Sequence, residues 1–179
     1  MPRHIGLCIA MLGMLAGPAM AMAMDADPPP PDPPDFWHEV GPRHASSTCI
    51  GSKASPVCML DTLMACFRRG GDICYRAMTE QDVAKSLAKT NPPDSLILTY
   101  RIVGAKIAEK DEEGGYYERK GGDTVIIYEI RRCYARPDQA RFCPNERARL
   151  PNDELTLRRE GQSWRIIDYG QPSRRPAKP

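Results

Sequence analysis

The stretch Glu154-Leu-Thr-Leu-Arg-Arg-Glu-Gly-Gln-Ser-Trp-Arg-Ile-Ile-Asp-Tyr169 decides the fold. Two runs of alternating apolar and polar residues flank the turn Glu160-Gly161, a strong local hairpin signal. A loop at Glu160-Gly161 sets Leu157 opposite Trp164 and Leu155 opposite Ile166. Those four residues then form one apolar face, and Thr156, Arg158 and Arg165 form the other. In that register Asp168 falls on the apolar face.

Two longer strands precede the hairpin. In Ser95 to Lys106, Leu96, Leu98, Tyr100 and Ile102 alternate with Ile97, Thr99, Arg101 and Val103. In Thr124 to Arg132, Thr124, Ile126, Tyr128 and Ile130 alternate with Val125, Ile127, Glu129 and Arg131. Upstream, the period changes from two to 3.6. Ser55-Pro56 provides an N-cap and a first-turn proline, and Val57, Leu60, Met64 and Phe67 follow at helical spacing, ending at Gly70-Gly71. Asp72 predicts a cap for a short helix over Ile73 to Met78, and Thr79 with Asp82 predicts a capped start for another over Glu80 to Ala88. Asn91-Pro92-Pro93-Asp94 ends it. Short helices followed by a strand meander read as α+β. Phe36 to Val40 is an apolar cluster that reads as a strand or turn and leaves the strand count open.

The ends have different compositions. Arg3 and His4 precede an apolar run from Ile5 to Ala16, and small residues follow at Ala19, Ala21 and Ala23. This is the pattern of a secretory signal over residues 1–23, too short for a membrane span. Residues 24–35 are rich in proline and aspartate and read as an extended, solvated linker. Residues 36–170 form one domain, and 171–179 read as a basic, disordered tail.

Loss of the signal removes Cys8 and leaves six cysteines, an even number that in an exported chain reads as disulfides. Cys66 and Cys74 flank the Gly70-Gly71 turn, and Cys133 and Cys143 bracket a polar loop. Each pair invites a local bridge, and Cys49 with Cys58 is the remaining pair. The implied location is the periplasm or the medium. Loss of Arg3 also lowers the formal net charge from +2 to +1, which argues against a nucleic-acid partner. No later stretch is apolar and long enough to span a bilayer.

The order of helices, then long strands, then a hairpin with Glu160, Gly161, Trp164, Ile166 and Asp168 resembles the nuclear-transport-factor-like (SnoaL-like) superfamily, over roughly Ser55 to Gly170. The resemblance implies a curved antiparallel sheet wrapped over the helices as a cone with an internal pocket. It also implies a wide choice of roles, from isomerases and dehydratases to non-catalytic binding domains. The histidine–aspartate pairs of the enzyme members have no evident counterpart: His38 and His44 both precede the first helix.

Candidate chemistry is sparse. An inward Asp168 could act as a base, with the hydroxyl of Tyr100 or Tyr128 as its partner. The competing readings are a solvated strand end for Asp168 and ordinary packing for the tyrosines. No metal site is expected, because Cys-x-x-Cys is absent and the His38/His44 spacing is not a zinc pattern. No phosphate loop or cofactor motif is present either. Three functional classes remain. The first is a non-catalytic protein binding a small ligand or an envelope partner. The second is a cofactor-independent lyase or isomerase using Asp168 and a tyrosine. The third is a structural module that dimerises through an open sheet face.

Overall fold

The structure, a computed structural model, describes residues 27–40, 49–78, 80–112, 119–138, 141–144 and 152–170. Residues 1–23, expected to be a secretory signal, His44, Thr79 and the expected tail over 171–179 lie outside these residues.

Three helices pack together, the first of them laid on one face of an antiparallel sheet, so the architecture is α+β. The helices are α1 (Pro56–Arg69), α2 (Ile73–Ala77) and α3 (Gln81–Ala88). The strands are β1 (His38–Val40), β2 (Leu96–Ile107), β3 (Thr124–Ala135), β4 (Arg141–Phe142), β5 (Asp153–Glu160) and β6 (Ser163–Gly170). The sheet order is β1-β2-β3-β5-β6, with β4 paired to the far end of β3. Phe36–Val40 therefore contributes a strand, with His38 opposite Tyr100 and Val40 opposite Leu98.

Helix α1 forms as its sequence dictates. Ser55 has extended φ/ψ and its Oγ accepts from the Cys58 amide at 3.2 Å, while Pro56 occupies the first turn. The helix ends at Gly70, whose φ of 61° is the left-handed conformation that glycine adopts at least cost. A Cβ there would also lie 2.2 Å from the Thr90 carbonyl oxygen, so the close approach of α1 to the end of α3 requires glycine. The other expected caps differ. Asp72 is in αR conformation and makes no side-chain cap bond, and α3 starts after Glu80, which makes none either. Both helices are short, and they are held by burial of Cys74, Ala77 and Ala84.

Six cysteines form three disulfides, Cys49–Cys58, Cys66–Cys74 and Cys133–Cys143. Cys66 and Cys74 are fully buried and tie α1 to α2. Cys133–Cys143 holds β4 to β3. The result is a small, disulfide-stabilised domain.

The core sits between α1 and the sheet. Met59, Leu60, Leu63 and Met64 of α1 meet Leu98, Tyr100, Ile102, Ile126, Tyr128, Leu155, Leu157, Trp164 and Ile166. The four hairpin residues singled out by the sequence are all buried, but their pairing differs from expectation. The two-residue loop is Gly161-Gln162, with Glu160 opposite Ser163. Leu157 therefore faces Ile166, and Arg159 faces Trp164. The reason is the backbone: Gly161 has φ 62° at the first loop position, where a type I′ or II′ turn demands positive φ and glutamate would be strained.

The opposite sheet face is held by ion pairs. Arg158 makes a bidentate pair with buried Asp123, Nε to Oδ1 and Nη2 to Oδ2, each at 2.8 Å. Arg119, 4% exposed, reaches Glu112 at 2.9 Å, Glu154 at 2.8 Å and Thr156 Oγ1 at 3.1 Å. Arg101 pairs with Glu129 at 2.8 Å. Buried arginine networks of this kind are costly to break at one member.

Candidate functional site

Asp168 is not where the regular alternation puts it. Strand β6 carries a β-bulge after Ile166, so Leu157 faces Ile166 but Thr156 faces Asp168. One extra residue, Ile167, reverses the side-chain alternation beyond it. Asp168 consequently shares a face with Thr156 and Arg158, away from Leu155 and Leu157. Tyr169 takes its place opposite Leu155 and packs against the core, its ring 5.7 Å from that of Phe67. The expected inward Asp168 is thereby corrected.

Tyr100 and Tyr128 do lie on the core face of adjacent strands, each 1% exposed. The register places Tyr100 opposite Ile130 and Tyr128 opposite Ile102, so the two tyrosines are diagonal neighbours. Burial, reinforced by Asp61, pushes the Tyr100 phenol far above its ordinary value. Burial, then Asp153, does the same for Tyr128, and burial then Asp168 raises Tyr169. Each therefore remains a neutral hydroxyl throughout the physiological range.

The hydroxyl of Tyr100 donates to Asp61 Oδ1 on α1. Above the Tyr100 ring lies His38, stacked at 4.7 Å between centroids with 11° between the planes. Phe36 meets the other flank of His38 edge-on at 4.8 Å. His38 Nε2 lies 3.0 Å from Asp32 Oδ2. A carboxylate only accepts, so Nε2 carries the proton. The same Asp32 oxygen accepts from the Ile102 amide at 2.7 Å, and the Asp32 amide donates to the Ile102 carbonyl at 2.8 Å.

Sequence reasoning missed this constellation for two reasons. Asp32 sits in the Pro-rich segment, expected to be a solvated spacer, and His38 sits before the first helix. The fold nevertheless lays residues 32–38 against the edge of β2 and builds a histidine–aspartate pair over Tyr100. Trp37, one residue earlier than His38, turns to the opposite face, where the Arg131 guanidinium lies 3.7 Å and that of Arg101 5.1 Å from its ring centroid. Arg101 also donates to the Pro34 carbonyl. The alternation signal of a short strand over 36–40 was available in the sequence. The role of Asp32 depends on a backbone pairing 70 residues away, which no local pattern encodes.

The cluster holds two carboxylates, one imidazole and one phenol. It can bind a polar group, orient His38, or pass a proton between His38 and Asp32. Among the described residues, no group of three histidine, cysteine, aspartate or glutamate side chains could hold a metal ion. Among the same residues, no helix is long and apolar enough to cross a membrane.

Comparison of the chain with protein-family models, with curated proteins and with solved structures gives no match.

Proposed function

We propose that the chain is an exported domain of the periplasm or the medium that binds a small ligand or an envelope partner without turning over a substrate. One observation carries this reading: every cysteine after the signal sequence is in a disulfide. Such complete oxidation in a small domain belongs to an oxidising compartment. The bulge in β6 adds support, since it takes Asp168 away from the core face on which it would have served as a base. Helices laid on one face of an antiparallel meander support the nuclear-transport-factor-like reading, whose members include many binding domains.

A second reading is favoured by a specific observation. The His38–Asp32 pair stacked over Tyr100 has the composition of a proton-transfer site. If the chain is an isomerase or lyase, these residues replace Asp168 as its acid–base group.

Native mass spectrometry of the protein recovered from its own cell envelope tests the proposal. The expected result is a chain beginning near Met24, lighter than its reduced form by the hydrogens of three disulfides, with a bound ligand or partner. A chain with reduced thiols and its signal sequence intact would overturn it. A bare homodimer would favour the structural module instead.

A further inference from the structure

The register puts a different aspartate on the core face. Asp153, the first residue of β5, lies directly opposite Tyr128 of β3. Opposed residues of an antiparallel pair point to the same side of the sheet, and Asp153 keeps step with Leu155 and Leu157. The carboxylate on the helix side of the sheet is therefore Asp153 rather than Asp168. Tyr169, opposite Leu155, stands diagonally on the other flank of Asp153, so two phenols bracket one carboxylate. Phe67, near the end of α1, meets the Tyr169 ring at 5.7 Å between centroids with 52° between the planes, forming an aromatic corner.

Tyr128 supplies an independent observation. It is 1% exposed, yet its hydroxyl makes no hydrogen bond among the described residues. The hydroxyl of Tyr100 on the neighbouring strand, equally buried, donates to Asp61. Buried hydroxyls are ordinarily paired. Asp153 acts on the Tyr128 phenol through its charge without bonding to it, so a polar group seated between the two would engage both.

The surrounding charge selects the sign of that group. Asp153 and Asp168 bear on Tyr128 against Arg132 alone, and Asp168 and Glu80 bear on Tyr169. Asp153 already has a partner, but a carboxylate has about four acceptor sites and keeps some for a ligand. Aromatic faces attract cations, and a carboxylate beside them adds a charge-assisted hydrogen bond. A protonated amine can donate to the Tyr128 oxygen and to Asp153 while its carbon chain lies against Phe67 and Tyr169. An anion would meet repulsion at the same place. We propose that Asp153, Tyr128, Tyr169 and Phe67 form a binding site for an organic ammonium ion with an apolar body. This deepens the small-ligand reading, on which it rests, by naming the site and the chemical class of the ligand.

The test is an NMR titration of the oxidised protein with three probes of similar shape and different charge: phenethylammonium, phenethyl alcohol and hydrocinnamate. Phenethylammonium is expected to bind at least about tenfold more tightly than hydrocinnamate, with the alcohol between them. The resonances of Tyr128 and Tyr169 are expected to shift on binding. Asp153→Asn is expected to weaken phenethylammonium about tenfold and to leave the alcohol nearly unchanged, a selectivity that a general loss of structure would not produce. Tyr128→Phe is expected to weaken it about fivefold.

Folding of each variant is checked by its disulfide count. If Asp153→Asn does not fold, Glu80→Gln, at an exposed side chain, carries the test of charge and is expected to weaken the ammonium probe alone. The proposal is overturned if no probe binds, if hydrocinnamate binds most tightly, or if the variants bind phenethylammonium as well as wild type does. It is also overturned if the ammonium probe shifts resonances elsewhere and leaves Tyr128 and Tyr169 unmoved. None of these outcomes alters the export and retained-ligand test, so the two proposals fail separately.

Discussion

Asp168 faces Thr156 across β5 and β6, on the side of the sheet opposite Leu155 and Leu157. A single bulge at Ile167 makes the difference between a candidate base in the core and a carboxylate on the outer face. The assignment predicts unequal costs for two neighbouring truncations. Ile166→Ala removes a buried side chain and is expected to cost about 2–4 kcal/mol in urea unfolding. Asp168→Ala empties no space in the core and is expected to cost less. Comparable losses at the two positions would contradict the bulge.

The buried tyrosines predict an alkaline limit to stability. Tyr100 and Tyr128 titrate above the ordinary phenol value of 10 in the folded protein. The unfolded chain therefore releases these protons first as pH rises, so it binds fewer protons than the native state. Their contribution is complete below about pH 10 and is lost as pH climbs from there towards the folded values. Stability measured from pH 8 to 11 is expected to fall in the wild type. The fall should be shallower in a Tyr100→Phe/Tyr128→Phe variant. An equal slope in both proteins would show that other groups are responsible.

Arg119 is the buried cation of the outer sheet face, and Glu154 beside it is mostly buried. Arg119→Ala removes a buried cation that two carboxylates and Thr156 contact and is expected to cost about 3 kcal/mol. Arg141→Ala breaks a pair exposed on both sides, and equilibrium unfolding should barely register it. The comparison separates burial from the mere presence of an ion pair.

The fold was legible wherever a local rule sufficed. Ser55, Pro56 and Gly70 mark both ends of α1, and the two faces of β2 and β3 follow from simple alternation up to Ile102 and throughout the paired core. The sequence separations of 9, 8 and 10 within the three disulfides make each pairing a neighbourly one. What escaped was set by a single residue or by a distant contact. Each bulge, at β2 after Ile102 and at β6 after Ile166, inserts one residue into a ladder whose alternation still looks unbroken in sequence. The turn at Gly161-Gln162 differs from Glu160-Gly161 only in which position needs positive φ. The Asp32–His38–Tyr100–Asp61 cluster draws on three separate segments, and its Asp32 lies in a stretch that composition alone marks as a spacer.

His38 hydrogen-bonds Asp32 of that stretch and stacks on Tyr100 of the core. His38→Ala is expected to raise amide exchange at residues 32–40 by about tenfold or more while leaving β3 and β5 protected, because local opening is governed by local contacts. No disulfide in the described residues anchors residues 27–40. Uniform exchange across the whole sheet in the variant would show instead that this segment is integral to global stability.

Two of the three short-range disulfides, similar in loop length, report what burial adds. Cys66 and Cys74 are fully buried, whereas Cys143 is only partly so. Chain entropy alone predicts nearly equal losses of about 2–3 kcal/mol. Cys66→Ala/Cys74→Ala is expected to exceed Cys133→Ala/Cys143→Ala, since it also leaves space in the core. Equal losses in thermal unfolding would assign the whole effect to loop closure.

Disulfide mapping of the unreduced protein, isolated from its own cells under conditions that trap free thiols, is the most direct measurement. The expected result is a chain without its first 23 residues, no trapped thiol, and peptides joining Cys49 to Cys58, Cys66 to Cys74 and Cys133 to Cys143. Trapped thiols at these six positions, on a chain that retains Cys8, would place the protein in a reducing compartment and contradict its assignment as an exported binding domain.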